Sequence, residues 1–337
     1  MRTVMLIIVL ASGTTAAWLL SADAYTFVLI AQCSIFALWA VSYNIVYGYM
    51  GEISFGHSAY FGLGGYSLPI LMSHLGVTFW AGLIGGALVA GLAAVVIGTV
   101  IRGTRGIYFA ISTFVFAQAI YLIVLKWTAF TGGDNGLPSP RPDWLTSSRS
   151  YALFCLALSL TAFYLLYRVT ISPAGRVIVA TGQNEVRAKQ VGHDTNKYRI
   201  AAFVISGLFS GLAGALFSGL IQFVSPDVLF WQMSGLVIIM TVVGGAQVFG
   251  GPIAGAIFVV VLQDLVSGLS SSNLNVFGLN ISRIGEHWPL LLGVTFYAII
   301  VYEPDGILGF VSRLSRAFSR SKTTVRASES RHAQNGA

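Results

Sequence analysis

The chain has 337 residues, of which 55% are hydrophobic and 9% charged, and its mean hydropathy is +0.78. A water-soluble domain normally carries about 25% charged residues, so so little charge cannot wet a soluble surface, and the sequence reads as an integral membrane protein. The formal charge of +7 does not point to nucleic acid, because the basic residues fall between apolar runs and in a C-terminal tail, as the positive-inside rule places them.

In chain order, "MRTVMLIIVLASGTTAAWLLSADAYT" has the Arg2, apolar stretch and small-residue "ADA" of a secretory signal. Its apolar run reaches Leu20, long for a signal's hydrophobic region, and it is read as an uncleaved first span. Apolar runs near twenty residues recur after it, each able to cross a bilayer as a helix. The expected spans are 4–22, 26–47, 53–73, 79–101, 107–127, 150–167, 199–222, 229–247, 252–268 and 287–302. With ten spans, Arg102 and Arg105, the 168–199 loop and the tail after 311 all fall on one face, the cytoplasmic one. Cys33 and Cys155 lie in separate apolar runs without partner spacing and read as small hydrophobes, not a disulfide or metal site.

The 48–66 segment, within "GYMGEISFGHSAYFGLGGY", is interrupted by glycines and carries Glu52, Ser54, His57 and Ser58. Broken, polar backbone at membrane depth is tolerated only where protein or a water-filled cavity surrounds it, so these four are the candidates for a substrate pathway. For His57 alone an internal hydrogen-bonded role is expected ahead of a proton relay. A second glycine-rich hairpin, 242–258, turns at the same face and hints at two related halves flanking a path. In the seventh expected span Gly207, Gly211, Ala215 and Gly219 recur every four residues, a smooth ridge that lets helix backbones approach closely in lipid. Asp264, near one end of the ninth expected span, suits an interfacial or hydrogen-bonded role.

The loop 168–199 holds six of the chain's 19 basic residues. Within it Asn184 is a good N-cap, Glu185 suits a helix N-terminus, and Gly192 suits a C-terminal stop. About two turns of helix are marginal alone in water, so this one must be held by contacts. None of the four lysines follows a glycine, which rules out a G-x-x-x-x-G-K-[ST] phosphate loop, and H-E-x-x-H, C-x-x-C and G-x-S-x-G are absent too. The chain is therefore read as no enzyme and no ATPase of its own.

Five segments together carry a family resemblance. "NIVYGYMGEISFGHSAYFGLGGY", "TGGDNGLP", "GRVIVATGQNEVRAKQVGHDTNKYRIAAFVISGLFSGLAGAL", "VVGGAQVFGGPIAGA" and "EPDGILG" resemble, in order, the motifs of the branched-chain amino acid ABC transporter permeases of the LivM type. Glu52 stands where the family usually has Gln, Gly182-Gln183 replaces a more charged pair, and Gln247 takes a usual glycine position. The resemblance implies an all-α polytopic permease of about ten transmembrane helices, with residues 1–311 as permease domain and 312–337 as a basic, disordered cytoplasmic tail. It also implies an ATPase-coupling loop containing Asn184, Glu185, Arg187, Ala188 and Gly192. The implied assembly adds a homologous permease chain, two cytoplasmic ATPase subunits and a periplasmic binding protein, in the bacterial inner membrane with both termini cytoplasmic. The implied cargo is leucine, isoleucine or valine, with urea or short amides as alternative, and no cofactor is bound by this chain, ATP being held by the partners. The rival from another class is an ion-coupled secondary carrier.

Overall fold

A computed structural model describes residues 23–246 and 248–271, with isolated positions at 275–276, 279–280, 290, 293–294, 296–297, 301, 306–307 and 309. The expected first span (4–22), most of the tenth (287–302) and the 312–337 tail lie outside the described residues.

The chain runs through α1 (Ala24–Asn44), continued by a π turn at Ile45–Tyr49, then α2 (His57–Leu75), α3 (Phe79–Val100), α4 (Gly106–Lys126) and the single turn α5 (Thr128–Thr131). It continues with α6 (Ser148–Ile171), α7 (Pro173–Gln183), α8 (Glu185–Gln190), α9 (Thr195–Ile221), α10 (Trp231–Gly244) and α11 (Gly251–Ser271). The only strands among the described residues are two-residue antiparallel pairs: β1 (Leu137–Pro138) with β2 (Phe223–Val224), and β3 (Asn275–Val276) with β4 (Leu279–Asn280). The fold is all-α and polytopic. Five of the described helices are long and apolar enough to cross a membrane: α1 with its π turn, α3, α4, α6 and α9.

Several boundaries differ from expectation, each for a local reason. The span expected at 53–73 becomes helical only at His57, because the backbone through Gly51–Gly56 is irregular, with Ser54 and Phe55 N–H groups donating to side chains of other helices. The span expected at 229–247 shrinks to α10, preceded by a 3-10 turn at Pro226–Leu229. At about 1.5 Å per residue, its 14 residues cannot cross a hydrocarbon core of about 30 Å. The irregular backbone leading into α10 is sheltered by protein: Leu229 is fully buried and lies against Gly62 of α2. The span expected at 150–167 extends to 148–171. The loop expected from 168 is mostly helix, with α7 an element that the sequence reading did not anticipate.

The core forms around α9, which packs on α2 and α3, while α1 joins α9 to α6 and α11. Three helices meet backbone to backbone. A methyl group at Gly64 would collide with the Gly211 carbonyl, and one at Gly86 would come within 2.8 Å of the Gly64 carbonyl oxygen. One at Gly211 would come within 2.9 Å of the Gly86 carbonyl oxygen, and one at Gly214 would collide with the Phe61 carbonyl. The expected ridge faces protein along its length: Gly207 abuts Ala94, Ala215 is fully buried, and Gly219 meets the Tyr151 ring. Above the crossing, Trp39 stacks on Phe61 at 4.3 Å and Phe36 packs against Phe217.

At the end of the bundle away from α8, Arg141 donates to the Gly219 and Leu220 carbonyls and lies 4.0 Å over the Tyr151 ring. A cation there complements the negative end of α9. Tyr25 donates to the Asp264 carboxylate, so Asp264 has the hydrogen-bonded role expected for it. Cys33 and Cys155 are free thiols.

Gly211→Leu should lower the yield and melting temperature of folded protein, by at least the 1–3 kcal/mol typical of overpacking. Gly235→Ala meets nothing within 4 Å and should be neutral or stabilising by up to about 1 kcal/mol. Thermal denaturation of both variants in detergent separates these outcomes.

Candidate functional site

The loop helix is built as its sequence directs. Ser172 caps α7, its Oγ accepting the Gly175 N–H at 3.1 Å, with Pro173 in the first turn. Ser-Pro is a legible helix start, and it is the signal by which α7 could have been read. Asn184 then breaks α7 and caps α8, with Oδ1 accepting the Arg187 N–H at 2.9 Å. Gly192 takes φ +93°, a left-handed value that favours glycine. Its N–H donates to the Lys189 carbonyl at 2.9 Å and that of His193 to the Ala188 carbonyl at 3.2 Å, closing the helix end. Ala188 faces inward at 5% exposure, whereas Val186 and Val191 are exposed at 67% and 72%. The Arg187 side chain is exposed as well.

Beneath α8 lies a charge cluster. Glu185 accepts from Arg105 through two bonds, Nε to Oε2 and Nη2 to Oε1, both 2.7 Å. Its Oε1 also takes the Thr195 hydroxyl at 3.0 Å and pairs with Lys189 at 2.9 Å. Arg199 approaches Glu185 at 3.7 Å and Glu52 at 3.1 Å. The other oxygen of Glu52 accepts the Gly106 N–H at 3.0 Å. The Arg105 guanidinium beside Glu185 holds its carboxyl well below the usual carboxylate range, with Lys189 and Thr195 adding to the effect. Glu185 in turn raises Arg105. Sequence reasoning counted Arg105 and Arg199 only as positive-inside charge. The one signal for Arg199 was an arginine at the start of a strongly apolar helix.

The four pathway candidates divide. Glu52 belongs to the charge cluster and is the one buried carboxylate among the described residues. Ser54, His57 and Ser58 are fully enclosed. The Ser206 hydroxyl donates to the Ser42 carbonyl at 2.6 Å, so Ser206 accepts from His57 Nε2 at 2.7 Å. That assigns the proton to Nε2, leaving Nδ1 to accept from Ser54 Oγ at 3.0 Å. The neutral ring satisfies every partner. Tyr43, Tyr60 and Phe203 surround it edge-on at 4.7, 5.5 and 6.0 Å between centroids. Ser234 of α10 accepts the Ser58 N–H at 2.9 Å, capping α2 from a neighbouring helix. Ser206 lies about 16 Å along α9 from Thr195 at 1.5 Å per residue, so this knot sits deep within the bundle.

The two glycine-rich segments adjoin. A methyl at Gly48 would collide with the Ala246 carbonyl, and one at Gly306 would come within 2.8 Å of the Val243 carbonyl oxygen. A methyl at Gly182 would lie 2.7 Å from the Tyr49 and Met50 carbonyl oxygens, so α7 ends directly on the π turn.

A polytopic helical bundle with a capped, seated helix outside its spans is the form of a membrane permease subunit. Comparison with known proteins agrees: residues 25–300 match the family described as branched-chain amino acid transport system / permease component. The chain belongs to this family. It is 26% identical over 302 residues to the high-affinity branched-chain amino acid transport system permease protein LivM of Escherichia coli K12, covering 81% of this chain and 68% of that one. It is 28% identical over 214 residues to the D-allose transport system permease protein AlsC of the same strain, covering 59% and 60%. It is 33% identical over 248 residues to the autoinducer 2 import system permease protein LsrC of Escherichia coli DH10B, covering 71% and 64%. Among solved structures, PsaBC from Streptococcus pneumoniae in complex with Fab aligns with TM-score 0.51 at 16% identity, over 87% of this chain and 96% of that one, a likeness of fold.

A carboxylate whose pKa is depressed on folding stabilises above its unfolded value and loses that contribution as pH falls through the lower folded value. Amide protection over 184–192, corrected for intrinsic exchange, should therefore hold from neutral pH down to about 4.3, the ordinary glutamate value, and fall only in stronger acid. Glu185→Lys should remove that protection at neutral pH while leaving α9 protected, because it sets a fourth cation among Arg105, Lys189 and Arg199.

Proposed function

We propose that the chain is the permease subunit of an ABC importer for branched-chain amino acids, acting with a homologous permease chain, two ATPase subunits and a binding protein. The observation that carries this reading is α8. It is a short helix that could not persist alone in water, capped at both ends, bound to the bundle through Glu185 and Ala188, and presenting Val186 and Val191 outward. Exposed apolar side chains beside exposed Arg187 fit a groove on a soluble partner. Asn184, Glu185, Arg187, Ala188 and Gly192 then form the ATPase-coupling element, and ATP is bound by the partners, no cofactor by this chain. In this reading α8 marks the cytoplasmic face, both termini lie on that face in the bacterial inner membrane, residues 1–311 form the permease domain and 312–337 a basic tail.

The 51–58 segment would flank the translocation path, with Glu52, Ser54, His57 and Ser58 positioning it. The hydrogen-bond chain through His57 ends on the Ser42 backbone carbonyl, which is not basic enough to take up the proton, and this weighs against a proton-coupled carrier. Leucine, isoleucine or valine is favoured by the LivM relative, whose match covers most of this chain. The relatives named for D-allose and autoinducer 2 make a small polar solute the second reading.

Ala188→Pro tests the reading. The Ala188 N–H donates to the Asn184 carbonyl at 3.1 Å, and proline removes that bond at a cost of about 3 kcal/mol. The spans are untouched, so the variant should insert normally and lose both co-purifying ATPase and leucine uptake. Retention of both would make the loop a charged tether only.

A further inference from the structure

We infer that Arg199 is a positioning residue that ties movement of α8 to the irregular backbone entering His57. The inference rests on the permease reading above and specifies how the site at α8 reaches the interior.

The Arg199 side chain is 8% exposed and stands between two carboxylates on different elements: Glu185 on α8 at 3.7 Å and Glu52 on the 51–56 segment at 3.1 Å. Its Nη2 also donates to the Thr104 carbonyl at 3.2 Å. The 51–56 segment is neither helix nor strand, so its position depends on the bonds that fasten it. It is fastened at Glu52 by Arg199 and Gly106, at Ser54 by the Tyr43 hydroxyl and at Phe55 by the Thr113 hydroxyl. Glu52 is therefore its one charged fastening.

A displacement of α8 carries Glu185 with it and alters what Arg199 faces. Arg199 cannot desert Glu52 without leaving a buried carboxylate without its counter-charge, which is strongly disfavoured. Arrangements in which both pairs hold, or both shift together, are favoured over mixed ones. That is a two-state element which both α8 and the path segment bias. Arg199 reaches Glu52, Glu185 and the Thr104 carbonyl through a rigid planar fork of donors, a geometry that the compact point charge of a lysine ammonium does not reproduce.

Ile53, 44% exposed and next to Glu52, is a reporter position. The chain carrying Cys33→Ala, Cys155→Ala and Ile53→Cys would be purified with its co-expressed partner subunits in nanodiscs. Maleimide labelling would be timed without nucleotide and with a non-hydrolysable ATP analogue. The relay predicts that the analogue changes the labelling rate about fivefold or more, within the range of coupling free energies between sites. Glu52→Gln and Arg199→Lys should each remove most of that change, measured against each variant's own nucleotide-free rate, while ATPase co-purification stays as in the parent. The double variant should match either single one, because both break the same link. A full nucleotide response in either single variant, or effects that multiply in the double, would overturn the relay. Should one variant fail to insert, the other decides by the same criterion. Failure of the permease reading is distinct: no ATPase would co-purify with the parent chain, and the relay would fall with it.

Discussion

The architecture depends on how closely the backbone of α9 approaches those of α2 and α3. Lipid supplies no hydrophobic drive between helices, so the attraction there is close van der Waals packing, which only small residues permit. Gly64, Gly86, Gly211 and Gly214 allow it. Once those contacts fix the rotation of α9, the placement of its polar stripe follows. Arg199, Ser206 and Ser210 are seven and four residues apart, on one side of a helix with 3.6 residues per turn. The same rotation sets Ser206 against His57 and Ser42, Ser210 against Ser42, and Arg199 against Glu52.

This ordering explains why polar groups can be so numerous in so apolar a chain. The interruption at Gly51–Gly56 leaves backbone N–H groups that lipid cannot satisfy. They are held within the protein instead: Gly51 and Glu52 donate back to the Tyr47 and Val46 carbonyls, Gly56 donates to the Ser54 hydroxyl, and Ser54 and Phe55 donate to the Tyr43 and Thr113 hydroxyls of other helices. The result is a neutral interior at the level of His57 and a charged base beneath α8. Two carboxylates, Glu52 and Glu185, meet three cations, Arg105, Lys189 and Arg199. Neutral polar groups at depth and charge at the base suit a subunit that is moved from outside and does not itself capture an ion gradient.

Much of this was legible in the sequence because it rests on local rules. The cap at Asn184, the acid at Glu185 and the stop at Gly192 obey short-range preferences, and the structure has the helix they describe. The four-residue spacing of Gly207, Gly211, Ala215 and Gly219 marked a face that the structure sets against protein. The burial of His57 followed from polar residues inside an apolar run. What stayed hidden depends on contacts between distant residues. The pairing of Arg105 with Glu185 joins positions 80 apart, and that of Arg199 with Glu52 joins a helix to an irregular segment that no periodicity connects. The shortening of α10 was equally concealed, since hydropathy does not distinguish an apolar turn packed on Gly62 from apolar helix. The Ser172-Pro173 start of α7 was visible and outweighed by the charge around it.

The central claim is that the chain is a conduit driven through α8 by a partner's ATP and not by an ion gradient. The most direct measurement is leucine uptake into vesicles containing the whole complex, with ATP supplied and ionophores collapsing both proton and sodium gradients. The account predicts that uptake continues at its original rate while ATP lasts. Loss of uptake with ATP still present would contradict it.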